Sequence, residues 1–167
     1  VSYFVSSDFE LVGIPELENS FQTDQSELVS TLAKWAEEGH FKLVIRLHPN
    51  MANSPTKDLE VYNTLSGNKK FVEVVMPSEE IDSYALSKAS DHVVTSGSTI
   101  GLEAAYLGVN TVVCGASQYS AFNIASHVST IDELMVILKQ PNETRPNASV
   151  IQAQCIDMII SLKYFNR

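Results

Sequence analysis

Apolar and polar positions along this chain follow two different periods, and the switches between them mark its elements. Tyr3-Phe4-Val5 is a short β-type run that ends at Ser6-Ser7-Asp8, and a polar stretch broken by Gly13 and Pro15 follows. From Asp24 to Glu38 the period lengthens to that of a helix. Leu28, Leu32 and Trp35 form one stripe, with Val29, Ala33 and Ala36 beside it. Asp24 with Glu27 makes a capping-box start, and Gly39 ends the helix. Phe41 to Leu47 reads as a strand broken at His48-Pro49-Asn50, and Met51 to Lys70 is polar with weak helical character. Phe71 to Val75 is a strand stopped by Pro77, and Ile81, Ala85 and Ala89 mark a short helix. Asp91 to Thr95 is a strand, Ser98 to Leu107 a helix, and Asn110 to Cys114 a strand ending at Gly115. Thr130 with Glu133 caps a helix carrying Leu134, Ile137 and Leu138. Ser149 to Phe165 spaces Ile151, Cys155, Met158, Ile159 and Leu162 as a last helix.

Short strands alternating with helices signal βαβ units and a parallel sheet covered on both faces. The predicted architecture is one doubly wound, Rossmann-like three-layer α/β domain spanning residues 1–167. Its sheet is expected to be mostly parallel, with roughly five or six strands. No internal repeat, heptad or low-complexity tract interrupts it. In such sheets ligands bind beyond the carboxyl ends of the strands. The residues just after each strand are therefore the ones to weigh.

Composition narrows the function classes. With 44% hydrophobic and 19% charged residues the chain is globular rather than disordered. Its net charge of −9 argues against a nucleic-acid partner, which selects a basic face. A local phosphate site built from backbone N–H groups stays open. No apolar run approaches the ~20 residues of a membrane span. Two cysteines, Cys114 and Cys155, are too few for a disulfide framework. They read as small core residues, which fits a reducing cytoplasm. Asn142-Glu143-Thr144 and Asn147-Ala148-Ser149 match the glycosylation sequon and read as polar loop. The chain opens at Val1, without Met, inside a strand-like run, so it is expected to be part of a longer protein.

Two segments carry candidate chemistry. In Thr95-Ser96-Gly97-Ser98-Thr99-Ile100-Gly101-Leu102-Glu103 a buried-type strand runs through a hydroxyl-rich turn into a helix. Gly97 lets a ligand approach the backbone, Ser96, Ser98 and Thr99 offer hydroxyls, and the helix start favours an anion. Simple N-capping is the plainer use of the same residues. The segment is neither a P-loop nor Gly-x-Gly-x-x-Gly. Glu103, one turn on, is placed either to accept from ribose hydroxyls or to complement the helix dipole. The second segment is Arg46-Leu47-His48-Pro49-Asn50, where alternation puts Arg46 and His48 on one face at a strand's carboxyl end. Both can bind a phosphate, and a structural hydrogen bond is the alternative use of a lone His. Asp8 and Tyr119 are candidates to line the cleft, Tyr119 by stacking or, instead, by packing its loop. His40, His92 and His127 read as surface or edge residues, and Glu79-Glu80 as partners of a helix N-terminus. The scattered Cys and His show no metal-ligand spacing, and no nucleophile elbow is present.

Taken in order, Arg46-Leu47-His48-Pro49-Asn50 and Ser90-Asp91-His92-Val93-Val94-Thr95-Ser96-Gly97-Ser98-Thr99-Ile100-Gly101-Leu102-Glu103-Ala104-Ala105-Tyr106-Leu107-Gly108 resemble the C-terminal half of GT-B glycosyltransferases. The bacterial capsule and surface-polysaccharide group is the nearest in pattern. Polysialyltransferases, poly(glycerol phosphate) transferases and UDP-N-acetylglucosamine 2-epimerases are similar. The resemblance covers roughly residues 1 to 140. It implies that His48 contacts the donor nucleotide's phosphate, with Arg46 at a position that is often basic. It implies that Ser96, Gly97, Ser98 and Thr99 hold the phosphates and that Glu103 binds the ribose. It further implies a nucleotide sugar as donor substrate, no separate cofactor and no metal. The acceptor glycan and an acidic general base would belong to an N-terminal domain not included here, so this chain alone is expected to transfer nothing. The whole protein would be cytoplasmic, with peripheral attachment to the inner face of the membrane left open. A 2-epimerase-like domain and a non-catalytic α/β binding or scaffold module are the competing expectations.

Overall fold

A computed structural model describes residues 1–6, 21–67, 69–140 and 147–165, and the side chains of all of these except 56–58 and 162–165. Six strands, β1 (Ser2–Phe4), β2 (Leu43–Arg46), β3 (Val72–Val75), β4 (His92–Thr95), β5 (Asn110–Cys114) and β6 (Ser126–Val128), form one sheet. Every pairing is parallel and the order is β3-β2-β1-β4-β5-β6. That is the doubly wound 3-2-1-4-5-6 order, whose direction of winding reverses between β1 and β4. The register sets Tyr3 beside Ile45 and Val94, and Phe4 beside Arg46 and Thr95.

Six helices cover the sheet: α1 (Gln25–Glu37), α2 (Thr56–Leu65), α3 (Ser83–Lys88), α4 (Thr99–Tyr106), α5 (Ile131–Leu138) and α6 (Ala148–Phe165). The side-chain period of two sorts the strand residues between two cores. Tyr3, Leu43, Ile45, Val72, Val74, Val94, Val112 and Cys114 face one way and bury Leu28, Leu32 and Ala36 of α1, Tyr62 of α2 and Leu134 of α5. On the opposite face Phe4 and Val93 pack with Ala104 of α4, while Val113 packs with Ala105 of α4 and Ile151, Cys155 and Met158 of α6. Both cysteines are buried free thiols, and burial pushes Cys114 up to about 12.

The predicted elements appear with ends shifted by a residue or two, as in Phe41–Leu47, of which Leu43–Arg46 is strand. The weakly helical stretch after His48 resolves into a 3-10 turn at Pro49–Asn53 and α2. Asp24 caps α1 through Glu27 N–H at 2.8 Å, and the Thr130 hydroxyl caps α5 at 3.3 Å. Asn147, read as loop, accepts the Ser149 amide at 3.1 Å at the start of α6. The sequon at Asn142 lies outside the described residues.

The short helix marked by Ile81, Ala85 and Ala89 forms as α3, with those three residues exposed and Leu86 and Ser87 turned inward. Two readings are corrected. Strand β6 was not anticipated, because Ser126-His127-Val128 is too short and polar to show a period. His92 is not at the surface: it is only 5% exposed.

Candidate functional site

The carboxyl ends of β1, β2 and β4 open into a cleft of ≈ 350 Å³ at the point where the winding reverses. Arg46, His48, Ser98, Thr99 and Glu103 line it, so five of the residues singled out in the sequence converge there. Phe4 and Val5 form part of the lining, and Asp82, Ser83 and Tyr84 close a side from α3.

Arg46 and His48 reach the cleft because β2 alternates: Ile45 and Leu47 turn into one core and leave the opposite face to their neighbours. Arg46 is 6% exposed. Its Nη1 donates to the Met76 carbonyl at 2.6 Å, while Nε is buried and finds no partner among the described residues. A buried guanidinium with an unspent donor is costly unless an acceptor arrives. The Met76 amide in turn donates to Glu79 at 2.8 Å, so the β3–α3 turn is tied at both ends of one residue. Glu79 therefore serves that turn, and Asp82 caps α3 through the Tyr84 and Ala85 amides at 2.8 and 3.2 Å. His48 accepts the Asn50 amide on Nδ1 at 3.1 Å. In the neutral ring that bond leaves the proton on Nε2, a donor suited to an anion.

The start of α4 forms the opposite wall. Ser98 is its N-cap but makes no side-chain capping bond. Its amide donates to Thr95 Oγ1 at 3.3 Å, and its carbonyl accepts the Gly101 amide at 3.0 Å. The first turn of any helix carries N–H groups without intrahelical acceptors, and here these are the amides that open α4. Gly97 sits at φ 92°, a left-handed turn that a residue with a Cβ adopts only under strain. Ser96 goes elsewhere. Its hydroxyl meets the Tyr3 hydroxyl at 3.2 Å and its carbonyl accepts from Ser6 at 3.4 Å, so Ser96 and Gly97 shape the turn without lining the cleft.

Glu103 lies at the mouth, half-buried, against the exposed Tyr84 phenol. The neighbouring Glu103 carboxylate, by drawing the phenol's proton and by its charge, holds Tyr84 above the usual phenol range. Tyr84 was not anticipated as a site residue, since its partner Glu103 comes from α4.

Two other candidates fare differently. Asp8 lies outside the described residues. Tyr119 takes the packing alternative: it is 2% exposed, and its hydroxyl donates to the Ser98 carbonyl at 3.0 Å from behind α4. It does not line the cleft, because the loop after β5 turns it inward. Of the histidines, His40 is exposed and 3.6 Å from Glu38, as a surface residue would be. His127 is half-buried with Nε2 3.0 Å from the Ser117 hydroxyl.

A model of the family described as "Capsule polysaccharide biosynthesis protein" matches residues 15–165. The chain belongs to the capsule polysaccharide biosynthesis protein family. No curated protein matches it. Among solved structures, the KpsC beta Kdo 2,4 transferase of Thermosulfurimonas dismutans is similar at 14% identity and TM-score 0.51, with 92% of this chain on 43% of that one. The UDP-GlcNAc 2-epimerase of Methanocaldococcus jannaschii, solved with UDP-GlcNAc and UDP, is similar at 14% identity and TM-score 0.53, with 96% of this chain on 44% of that one. The chain thus spans less than half the length of either protein. The resemblance read from the two motifs is borne out: this is a capsule-family domain with the Rossmann-like fold of the GT-B half that it resembles. Among the described residues no helix is long and apolar enough to cross a membrane, and no cluster of His, Cys, Asp and Glu suits a metal.

Proposed function

We propose that this chain is the donor half of a capsule-polysaccharide glycosyltransferase and that the cleft at the winding reversal binds the nucleotide sugar. The observation that carries this reading is Arg46: a buried cation whose Nε has no partner among the described residues, in the same cleft as His48 and the start of α4, where the Ser98 side chain makes no capping bond. A phosphate or diphosphate supplies the missing acceptors. Its charge matches the guanidinium, the His48 Nε2–H and the helix dipole together. Glu103 at the mouth suits a neutral diol such as ribose, and a bound ribose would take the place of the Tyr84 phenol. Ser96 and Gly97 contribute through the turn they build. Membership of the capsule family favours a transferase donor over a 2-epimerase substrate on a shared fold.

In the whole enzyme, an acceptor hydroxyl of the growing glycan attacks the anomeric carbon. The bond from that carbon to the phosphate oxygen breaks, and the nucleotide leaves with the electron pair. A carboxylate of a second domain takes the hydroxyl proton. Arg46, His48 and the α4 amides bind the phosphate more tightly as its charge grows, which lowers the barrier. With the acceptor side elsewhere, the present chain binds donor and transfers nothing alone. The buried free thiols fit a reducing, cytoplasmic site for the protein.

The test is a thermal-shift screen with CMP, CDP, UDP, GDP, ADP and inorganic phosphate. A nucleotide at a hundredfold excess over its Kd adds about 2.7 kcal/mol, a rise of a few degrees for a chain of this size. His48→Ala and Ser98→Ala are each expected to weaken the responding nucleotide by about ten- to a hundredfold, the worth of one hydrogen bond to a charged group. No response to any nucleotide, or an unchanged response in both variants, would contradict the assignment.

A further inference from the structure

Ser98 is held in an unusual way for an N-cap. The common arrangement turns the cap hydroxyl back onto the helix amides. Here the side chain makes no such bond, and the main chain is gripped instead. The Ser98 amide is tied to Thr95 Oγ1 at 3.3 Å, and its carbonyl receives both the Gly101 amide and the Tyr119 hydroxyl at 3.0 Å. None of the gripping residues Thr95, Gly101 and Tyr119 lines the cleft, whereas Ser98 does.

Tyr119 is itself fixed. It is 2% exposed and packs with Ala105, Val113 and Ile124. Its loop is knotted by the Ser120 hydroxyl, which accepts the Ser117 amide at 2.8 Å, and by Ser117 on His127 at 3.0 Å. Gly101 shows how tightly the phenol is seated. A Cβ at that position would overlap the Tyr119 hydroxyl and lie 2.8 Å from Thr95 Cγ2. A phenol so placed keeps its proton, because burial raises it well above its usual value.

We propose that Tyr119 is a positioning residue for the cleft: its hydroxyl, seated against Gly101, holds the Ser98 carbonyl from behind and so leaves the Ser98 hydroxyl free to bind a phosphate. This rests on the donor-binding reading above and adds to it the β5–β6 loop as the part of the chain that sets the phosphate wall. Without the phenolic hydroxyl, Ser98 relaxes toward an ordinary cap, and its side chain turns to the α4 amides that the ligand needs.

The experiment is a double-mutant cycle on Tyr119→Phe and Ser98→Ala, read by calorimetric titration with the nucleotide that stabilises the wild-type chain. Tyr119→Phe keeps the ring and its packing, so the fold survives, and it is expected to weaken the nucleotide about three- to tenfold. A merely structural role would lower affinity equally in either background. A role through Ser98 makes the Tyr119→Phe effect vanish once Ser98 is Ala. Equal affinity of Tyr119→Phe and wild type, or a loss undiminished in the Ser98→Ala background, overturns this inference and leaves donor binding intact. A wild-type chain that binds none of the nucleotides overturns the donor reading and this inference with it.

Discussion

At the residue scale the cleft is defined by the side chains that leave β2 at its carboxyl end. Arg46 spends Nη1 on the Met76 carbonyl and keeps a buried Nε without a partner among the described residues, while His48 has its tautomer set by Asn50. These two positions were legible because a period of two and a terminating Pro49 fix which side chains leave the strand on which face. Tyr84 and the inward turn of Tyr119 were not legible, since each depends on a partner from another element: Glu103 for one and the Ser98 carbonyl for the other. His127 supplies a pH test at this scale. Burial holds its imidazole below 6.5, with the Ala125 carbonyl opposing in part. The unfolded chain therefore binds the proton first, and the folded state loses stability as pH falls through about 6.5. The fall levels off below the folded value. Melting temperature is expected to drop between neutral and mildly acid pH, and to drop less in His127→Gln. The same slope in both chains would contradict this assignment.

At the element scale most helices and the first five strands were readable, and β6 was not. Helix α1 and helix α5 announce themselves by a cap and an apolar stripe, and both form where expected. Strand β6 has three residues with only Val128 apolar, fewer than two periods, so only the tertiary fold decides it. In α3 Tyr84 and Ala85 are exposed while Leu86 packs on the core. Helix α4 makes the sharpest prediction. Ala is normally favoured over Gly inside a helix by about 1 kcal/mol. At Gly101 the added Cβ runs into the Tyr119 hydroxyl and Thr95 Cγ2, both in packed surroundings. Overpacking of this kind costs about 1–3 kcal/mol and outweighs the propensity gain. Gly101→Ala is thus expected to melt a few degrees lower, and equal or higher stability in a denaturation curve would show that α4 is not seated on Tyr119 as described.

At the scale of the whole molecule, the sheet order brings together segments far apart in sequence. Arg46 and Ser98 meet only because β1 lies between β2 and β4 with parallel pairing on both sides. The carboxyl-end rule predicts that meeting from the strand pattern alone, whereas the loop behind it is set by tertiary packing. The surface carries a second feature. An apolar groove of ≈ 460 Å³ runs beside the cleft between α3, α4 and α6, lined by Tyr84, Leu102, Tyr106, Leu107, Cys155 and Ile159. Ile156, Ile159 and Ile160 on α6 are 50%, 58% and 48% exposed, although Ile159 was read on one stripe with Ile151, Cys155 and Met158, which are buried. Such a face is expected to drive concentration-dependent association of the chain. Sedimentation velocity should show it, with Ile159→Glu reducing it, and a clean monomer at high concentration would contradict it. The central claim is that the cleft at the winding reversal holds a nucleotide's phosphate. Amide chemical shifts followed during titration with the stabilising nucleotide test it most directly. The predicted result is saturable movement concentrated at Thr99, Ile100, Asn50 and their neighbours. Shifts centred on the ≈ 190 Å³ cavity at the other end of the sheet, around Asn110 and Asn123, or no shifts at saturating nucleotide, would contradict it.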